Sequence, residues 1–155
     1  KTSTTNFKTM IQDIYKWLET AGVPQLKSEE QHNLCVSLIR EELDELIEAH
    51  KNKDSEGVKD AIVDLLWVVL NYPYMFDIPL AELQEKIDRV SYSNWTKFCA
   101  TEAEAKKSVE LYAKGEHPAK PGAKIDAYFY KSGEYWIVKR MSDSKILKSL
   151  EFQEP

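Results

Sequence analysis

Residues 60–70 read DAIVDLLWVVL, and the fold turns on what Asp64 is doing there. Between Asp60 and Leu70 every other residue is apolar, the composition of an element covered on most of its surface. An ionised carboxylate alone in such surroundings is costly unless it takes up a proton, so Asp64 calls for a partner: a cation, a donor network or a metal. The stretch is long enough for a helix capped by Asp54 or Ser55 and running to NYPYM, where Pro73 is expected to kink or end it. On that helix Asp60, Asp64, Trp67 and Asn71 share one stripe, and Ile62, Leu65, Leu66 and Val69 occupy the opposite side.

Working outward toward the N-terminus, a second helical pattern runs from Ser28, an N-cap ahead of two glutamates, to Lys51. It contains REELDELIEAH, residues 40–50. Leu34, Leu38, Glu41 and Glu45 fall on one narrow stripe, with Glu48 slightly to one side and Glu42 next to Glu45. The carboxylates thus continue a row that begins as core leucines. If the two acidic strips face each other inside a bundle, four or five carboxylates converge, and their repulsion demands cations. Hard oxygen ligands in that number suit Mg²⁺ or Mn²⁺, and such sites leave water positions open for binding a polyphosphate and activating a water. EELDELIE alone would be read as a solvated helix face; the apolar neighbours of Asp64 weigh for a metal role. A di-iron bundle needs two Glu-x-x-His units, and only Glu29 and His32 have that spacing.

The rest of the chain supplies the scaffold. TNFKTMIQDIYKWLET, residues 5–20, places Phe7, Met10, Ile11, Ile14, Trp17 and Leu18 at helical spacing before AGVPQ breaks the pattern. Pro79 opens a fourth helix over 79–97 with Leu80, Leu83, Ile87 and Val90 as its apolar stripe. TEAEAKKSVELYAKGE predicts a short, exposed fifth helix ending near Gly115, and HPAKPGAK a loop. The remainder is aromatic and β-branched, with KSGE and SDSK as turns, and predicts two or three short antiparallel strands. The expected fold is mostly α: a four-to-five-helix bundle over 1–115 with a loop and short antiparallel β extension over 116–155.

Composition narrows the function classes. A chain of 155 residues suits one compact domain with a small appendage. No apolar run approaches the roughly 18 residues of a membrane helix, and no secretory pattern opens the chain, so a cytoplasmic protein is expected. The net charge of -5 argues against nucleic-acid binding. Cys35 and Cys99 form neither a CxxC pair nor a zinc pattern and read as reduced structural thiols. His32, His50 and His117 have no partner pattern.

Glu41-Glu42-x-x-Glu45 followed by Asp60-x-x-x-Asp64 resembles the all-α nucleoside triphosphate pyrophosphohydrolase superfamily, which includes MazG-like enzymes, dimeric dUTPases and phosphoribosyl-ATP pyrophosphohydrolases. The family pattern is EExxE on one helix and ExxD or DxxxD on the next. SNWTKF resembles its Asn-x-x-Lys segment through Asn94 and Lys97, and YWIVKR with KILKS resembles the β extension of phage-type members, whose product would act in a host cytoplasm. Where an ExxD member has glutamate this chain has Ala61, with Asp60 one residue earlier, so Asp60 is expected to coordinate differently, through water.

The resemblance implies an all-α pyrophosphatase bundle that cleaves between the α and β phosphates of a (deoxy)nucleoside triphosphate, giving monophosphate and pyrophosphate. Glu42, Glu45 and Asp64, assisted by Asp60 or Glu41, would hold Mg²⁺, with Mn²⁺ as a substitute, and either Glu41 or Glu42 would act as general base. Asn94 and Lys97 would orient phosphate oxygens. Trp67 and Trp17, with Tyr15, are candidates for the base pocket, and Lys145 and Lys148 for a further reach to phosphate. The resemblance further implies a homodimer or a tetramer built from dimers, which the apolar AIVDLLWVVL surface supports. Two other classes remain open: a non-catalytic helical nucleotide- or partner-binding module of the same fold, and a phosphohydrolase releasing orthophosphate.

Overall fold

A computed structural model describes residues 7–25 and 28–155, though not the side chains of Phe7 and Lys8. Five helices come first, α1 (Phe7–Thr20), α2 (Glu29–Lys51), α3 (Ser55–Met75), α4 (Leu80–Trp95) and α5 (Glu102–Lys114), followed by strands β1 (Ala127–Ser132) and β2 (Tyr135–Arg140). The mostly α fold with a short antiparallel β extension is the one the sequence implies. The chain divides into two compact units, residues 1–83 and 84–155, and α4 carries the chain from one into the other.

In the first unit the packing centres on the α2–α3 pair, with α1 laid against α3. The turn between α2 and α3 is written in local chemistry. Asn52 ends α2, Lys53 adopts a left-handed conformation (φ 57°), and the Asp54 amide returns to the Ala49 carbonyl at 2.9 Å. The Asp54 carboxylate then accepts from the Gly57 amide at 3.0 Å and caps α3, as Ser28 caps α2. With so short a connection the two helices lie side by side along their length. Ile11, Ile14 and Leu18 of α1, Cys35 of α2, and Ala61 and Leu70 of α3 are buried. Tyr15 ties α1 to the end of α3 by donating to the Ile78 carbonyl at 3.1 Å. Pro73 lies within the last turn of α3, which ends two residues later.

Many apolar residues of this unit are open, the expected core leucines Leu34 and Leu38 among them. Leu34 is 56% exposed, Val63 54% and Trp17 53%; Leu38, Leu43, Ile47, Ile62, Leu66 and Val69 are exposed as well. The leucine row that leads into the glutamates is therefore not buried within this chain, and neither is Asp64. The apolar stretch around Asp64 is real, but much of it forms an outer face.

The second unit is built around α5 and the hairpin. Thr101 accepts from the Glu104 amide, Glu104 in turn accepts from the Ala100 amide, and Gly115 (φ 75°) closes the C-terminal end. The sequence reads α5 as exposed; instead it buries Ala105, Ser108 and Tyr112 in a cluster with Cys99, Val138 and Leu147. Its charged residues hid a narrow small-residue stripe that suits close packing on a sheet. β1 and β2 pair from Ala127 opposite Arg140 to Ser132 opposite Tyr135. The third strand is reduced to a single bridge between Lys139 and Ile146, and Cys99 pairs with the other side of Trp136. The C-terminal segment is tied down by Ser93, whose hydroxyl donates to the Gln153 carbonyl at 2.7 Å, and by Ser149, which donates to the Thr96 carbonyl at 2.7 Å.

Candidate active site

The acidic strips of α2 and α3 meet in the first unit. Burial, and then the carboxylates of Glu45, Asp64 and Glu41, push the Glu42 carboxyl up from its ordinary value. Those four groups form one electrostatic cluster, drawn from two helices at the EExxE spacing and at Asp64. Glu42 is half-buried, and the other three are exposed. Asp60, one turn before Asp64 on α3, is exposed and is not among the groups acting on Glu42. Along the outer side of α2, Ser37, Arg40, Glu41, Asp44, Glu45 and Glu48 line a shallow depression.

No ion pair among the described residues reaches this cluster, although Arg40 lines the same depression as Glu41 and Glu45. Several helical acids elsewhere are paired: Glu56 with Lys59 at 2.6 Å, Glu85 with Arg89 at 2.6 Å, and Glu110 with Lys107 and Lys114 at 3.5 and 2.6 Å. Among the described residues, Glu41, Glu42, Glu45, Asp60 and Asp64 have no ion pair and no side-chain hydrogen bond. Like charges at i, i+3 and i, i+4 repel, so this strip costs stability that its neighbours on the surface do not.

The donor chemistry, carboxylate oxygens in excess and none of them ion-paired, fits a hard divalent ion. Yet among the described residues no three His, Cys, Asp or Glu side chains lie close enough to enclose one. The carboxylates would have to rotate inward to do so.

Of the two tryptophans, Trp67 follows Asp64 by one turn and Trp17 stands on α1; the structure brings their rings together, edge to face, with centroids 6.2 Å apart. Tyr15 is engaged elsewhere, in its bond to Ile78 and an edge contact with Tyr74. Asn94 and Lys97 belong to the second unit. There the Lys97 ammonium donates to the Asn94 amide oxygen at 2.7 Å, so either group must exchange that bond before it holds a phosphate. Lys148 is taken up by Glu154 at 2.7 Å and by the Phe152 ring. Asn71, on the acidic stripe of α3, keeps a buried amide oxygen with no hydrogen-bond partner.

No helix among the described residues is long and apolar enough to cross a membrane. The comparison with curated proteins gave no match, and neither did the comparison with solved structures. One family model does match, that of phosphoribosyl-ATP pyrophosphohydrolase (PRA-PH), over residues 10–91. That span is more than half of the chain and contains α2, α3 and all five acidic residues. The chain thus belongs to the PRA-PH family, within the MazG-like all-α nucleoside triphosphate pyrophosphohydrolase superfamily, and is a pyrophosphohydrolase of a nucleotide-like substrate.

Proposed function

We propose that the protein cleaves the α–β phosphoanhydride of (deoxy)nucleoside triphosphates to monophosphate and pyrophosphate, with Mg²⁺ as its cofactor and Mn²⁺ able to replace it. The observation that carries this reading is the cluster of Glu41, Glu42, Glu45 and Asp64 on two packed helices, none of them ion-paired among the described residues. Glu42, Glu45 and Asp64 would hold the ion, with Glu41 or Asp60 assisting. Bound there, the ion would neutralise the carboxylates and the phosphate oxygens and make a water more acidic.

The chain's own part follows from its residues. A water attacks phosphorus, the bridging bond between the α and β phosphates breaks, and pyrophosphate leaves. The proton lost by the water passes to a carboxylate oxygen of Glu41 or Glu42, the two groups beside the ion-holding acids. Trp67 and Trp17 offer a half-open aromatic wall for the base. The Asn-x-x-Lys resemblance gives Asn94 and Lys97 the orienting of phosphate oxygens, and the loss of either is expected to raise KM more than it lowers kcat. The exposed apolar residues of α2 and α3 support assembly as a homodimer or a dimer of dimers.

Glu45→Gln and Asp64→Asn test the site. Each is expected to lower kcat/KM by at least about a hundredfold. Each should also remove the rise in melting temperature that Mg²⁺ gives the unsubstituted protein. Full activity in both variants would overturn the assignment.

A further inference from the structure

The second unit contains a concave site that the acidic cluster does not use. The net charge of -5 conceals a division: residues 1–83 carry fifteen Asp and Glu against eight Lys and Arg, whereas residues 84–155 carry eleven against thirteen. That positive excess comes entirely from the hairpin and its flanks, where residues 120–148 hold seven basic and three acidic side chains, the rest of the unit being net acidic.

On the outer face of the hairpin, opposite the side that packs on α5, the register puts Tyr128, Tyr130, Tyr135, Ile137 and Lys139 together. The bridge between Cys99 and Trp136 sets the end of α4 beside this face. Trp95, Phe98 and Tyr135 form a cluster there, with all three ring pairs between 5.5 and 5.8 Å. Together with Tyr130, Lys139 and the Ser132–Glu134 turn they line a groove of about 450 Å³. Trp95 is 57% exposed, so a ring face remains free for stacking. The Lys139 ammonium stands 5.2 Å from the Tyr130 ring centre and has no carboxylate partner among the described residues.

We propose that this groove binds one nucleotide, its base stacked on Trp95 and Tyr135 and its phosphate drawn to Lys139. The aromatic wall supplies affinity for a planar heterocycle of any identity, and Lys139, the one cation of the lining, supplies the contact for the phosphate, with Glu134 of the turn as the lining's one acid. The volume suits a single small ligand, neither a bare ion nor a long strand. This second nucleotide site does not rest on the hydrolytic reading of α2 and α3.

The test is calorimetric titration of the full chain with AMP in EDTA, repeated on Trp95→Ala and Lys139→Gln, with folding checked by circular dichroism. AMP should bind saturably without divalent metal, about tenfold more weakly to Trp95→Ala and several-fold more weakly, with a shallower salt dependence, to Lys139→Gln. Glu45→Gln should bind AMP as the unsubstituted protein does, which separates this site from the acidic one. Adenosine should bind more weakly than AMP, and pyrophosphate should compete poorly. Absence of metal-free binding, equal binding in the variants, or full competition by pyrophosphate would overturn the proposal. So would a much tighter complex with single-stranded oligothymidylate, which would make the face a strand platform.

Discussion

At the scale of single residues, Asp64 is the most instructive case. Its apolar neighbours imply burial, yet its side chain is exposed, and so are Ile62, Val63 and Leu66 around it. Hydrophobicity along a sequence marks surface that avoids water without saying whether the cover comes from the same chain. The proposed metal role rests instead on the EExxE strip having no ion pair among the described residues, which was legible because Lys and Arg are missing at the i, i+3 and i, i+4 positions that pair Glu56 and Glu110. His117 was not legible. It is fully buried, stacked 3.8 Å from Tyr112, and its Nδ1 accepts from the Ala119 amide at 3.2 Å while Nε2 has no partner. Burial lowers its pKa below the ordinary 6.5, so the unfolded chain takes up a proton that the folded one resists. The stability this histidine gives is complete above about pH 6.5 and is lost as pH falls through that value toward the folded-state pKa. Melting temperature is expected to drop between pH 7.5 and 5.5, and to drop less in His117→Phe; equal drops would show that the imidazole is not the group responsible.

At the scale of elements, caps and breakers carried the reading. Ser28, Asp54 and Gly115 stand at the helix ends the sequence assigns them, and Thr101 caps α5 by the same chemistry, because a cap depends on residues within one turn. The choice between two strands and three was not legible: the single bridge at Ile146 depends on a pairing partner that local pattern does not reveal. The α2–α3 turn offers a two-way test. Lys53 holds a left-handed conformation that glycine adopts freely, so Lys53→Gly should stabilise the fold by about 0.5–1 kcal/mol. Asp54→Ala removes the α3 cap and should cost about 1 kcal/mol. Urea unfolding of the two variants reads both; a destabilising Lys53→Gly would mean that its side chain does more at the turn than its backbone costs.

At the scale of the whole molecule, α2 and α3 leave Leu34, Leu43, Ile47, Val63 and Val69 all open, apolar surface that the proposed assembly would cover. Sedimentation at micromolar concentration should show a dimer or tetramer, and Leu34→Glu combined with Val63→Glu should shift it toward monomer; an unsubstituted protein that is monomeric would contradict the proposed assembly. The most direct measurement of the central claim is a panel of canonical and modified nucleoside triphosphates, with phosphoribosyl-ATP included, incubated with and without Mg²⁺ while monophosphate, pyrophosphate and orthophosphate are followed separately. The expected result is equal amounts of monophosphate and pyrophosphate formed only with the metal present. Orthophosphate as the released product, turnover unaffected by EDTA, or no turnover of any compound by the folded protein with Mg²⁺ or Mn²⁺ would contradict it.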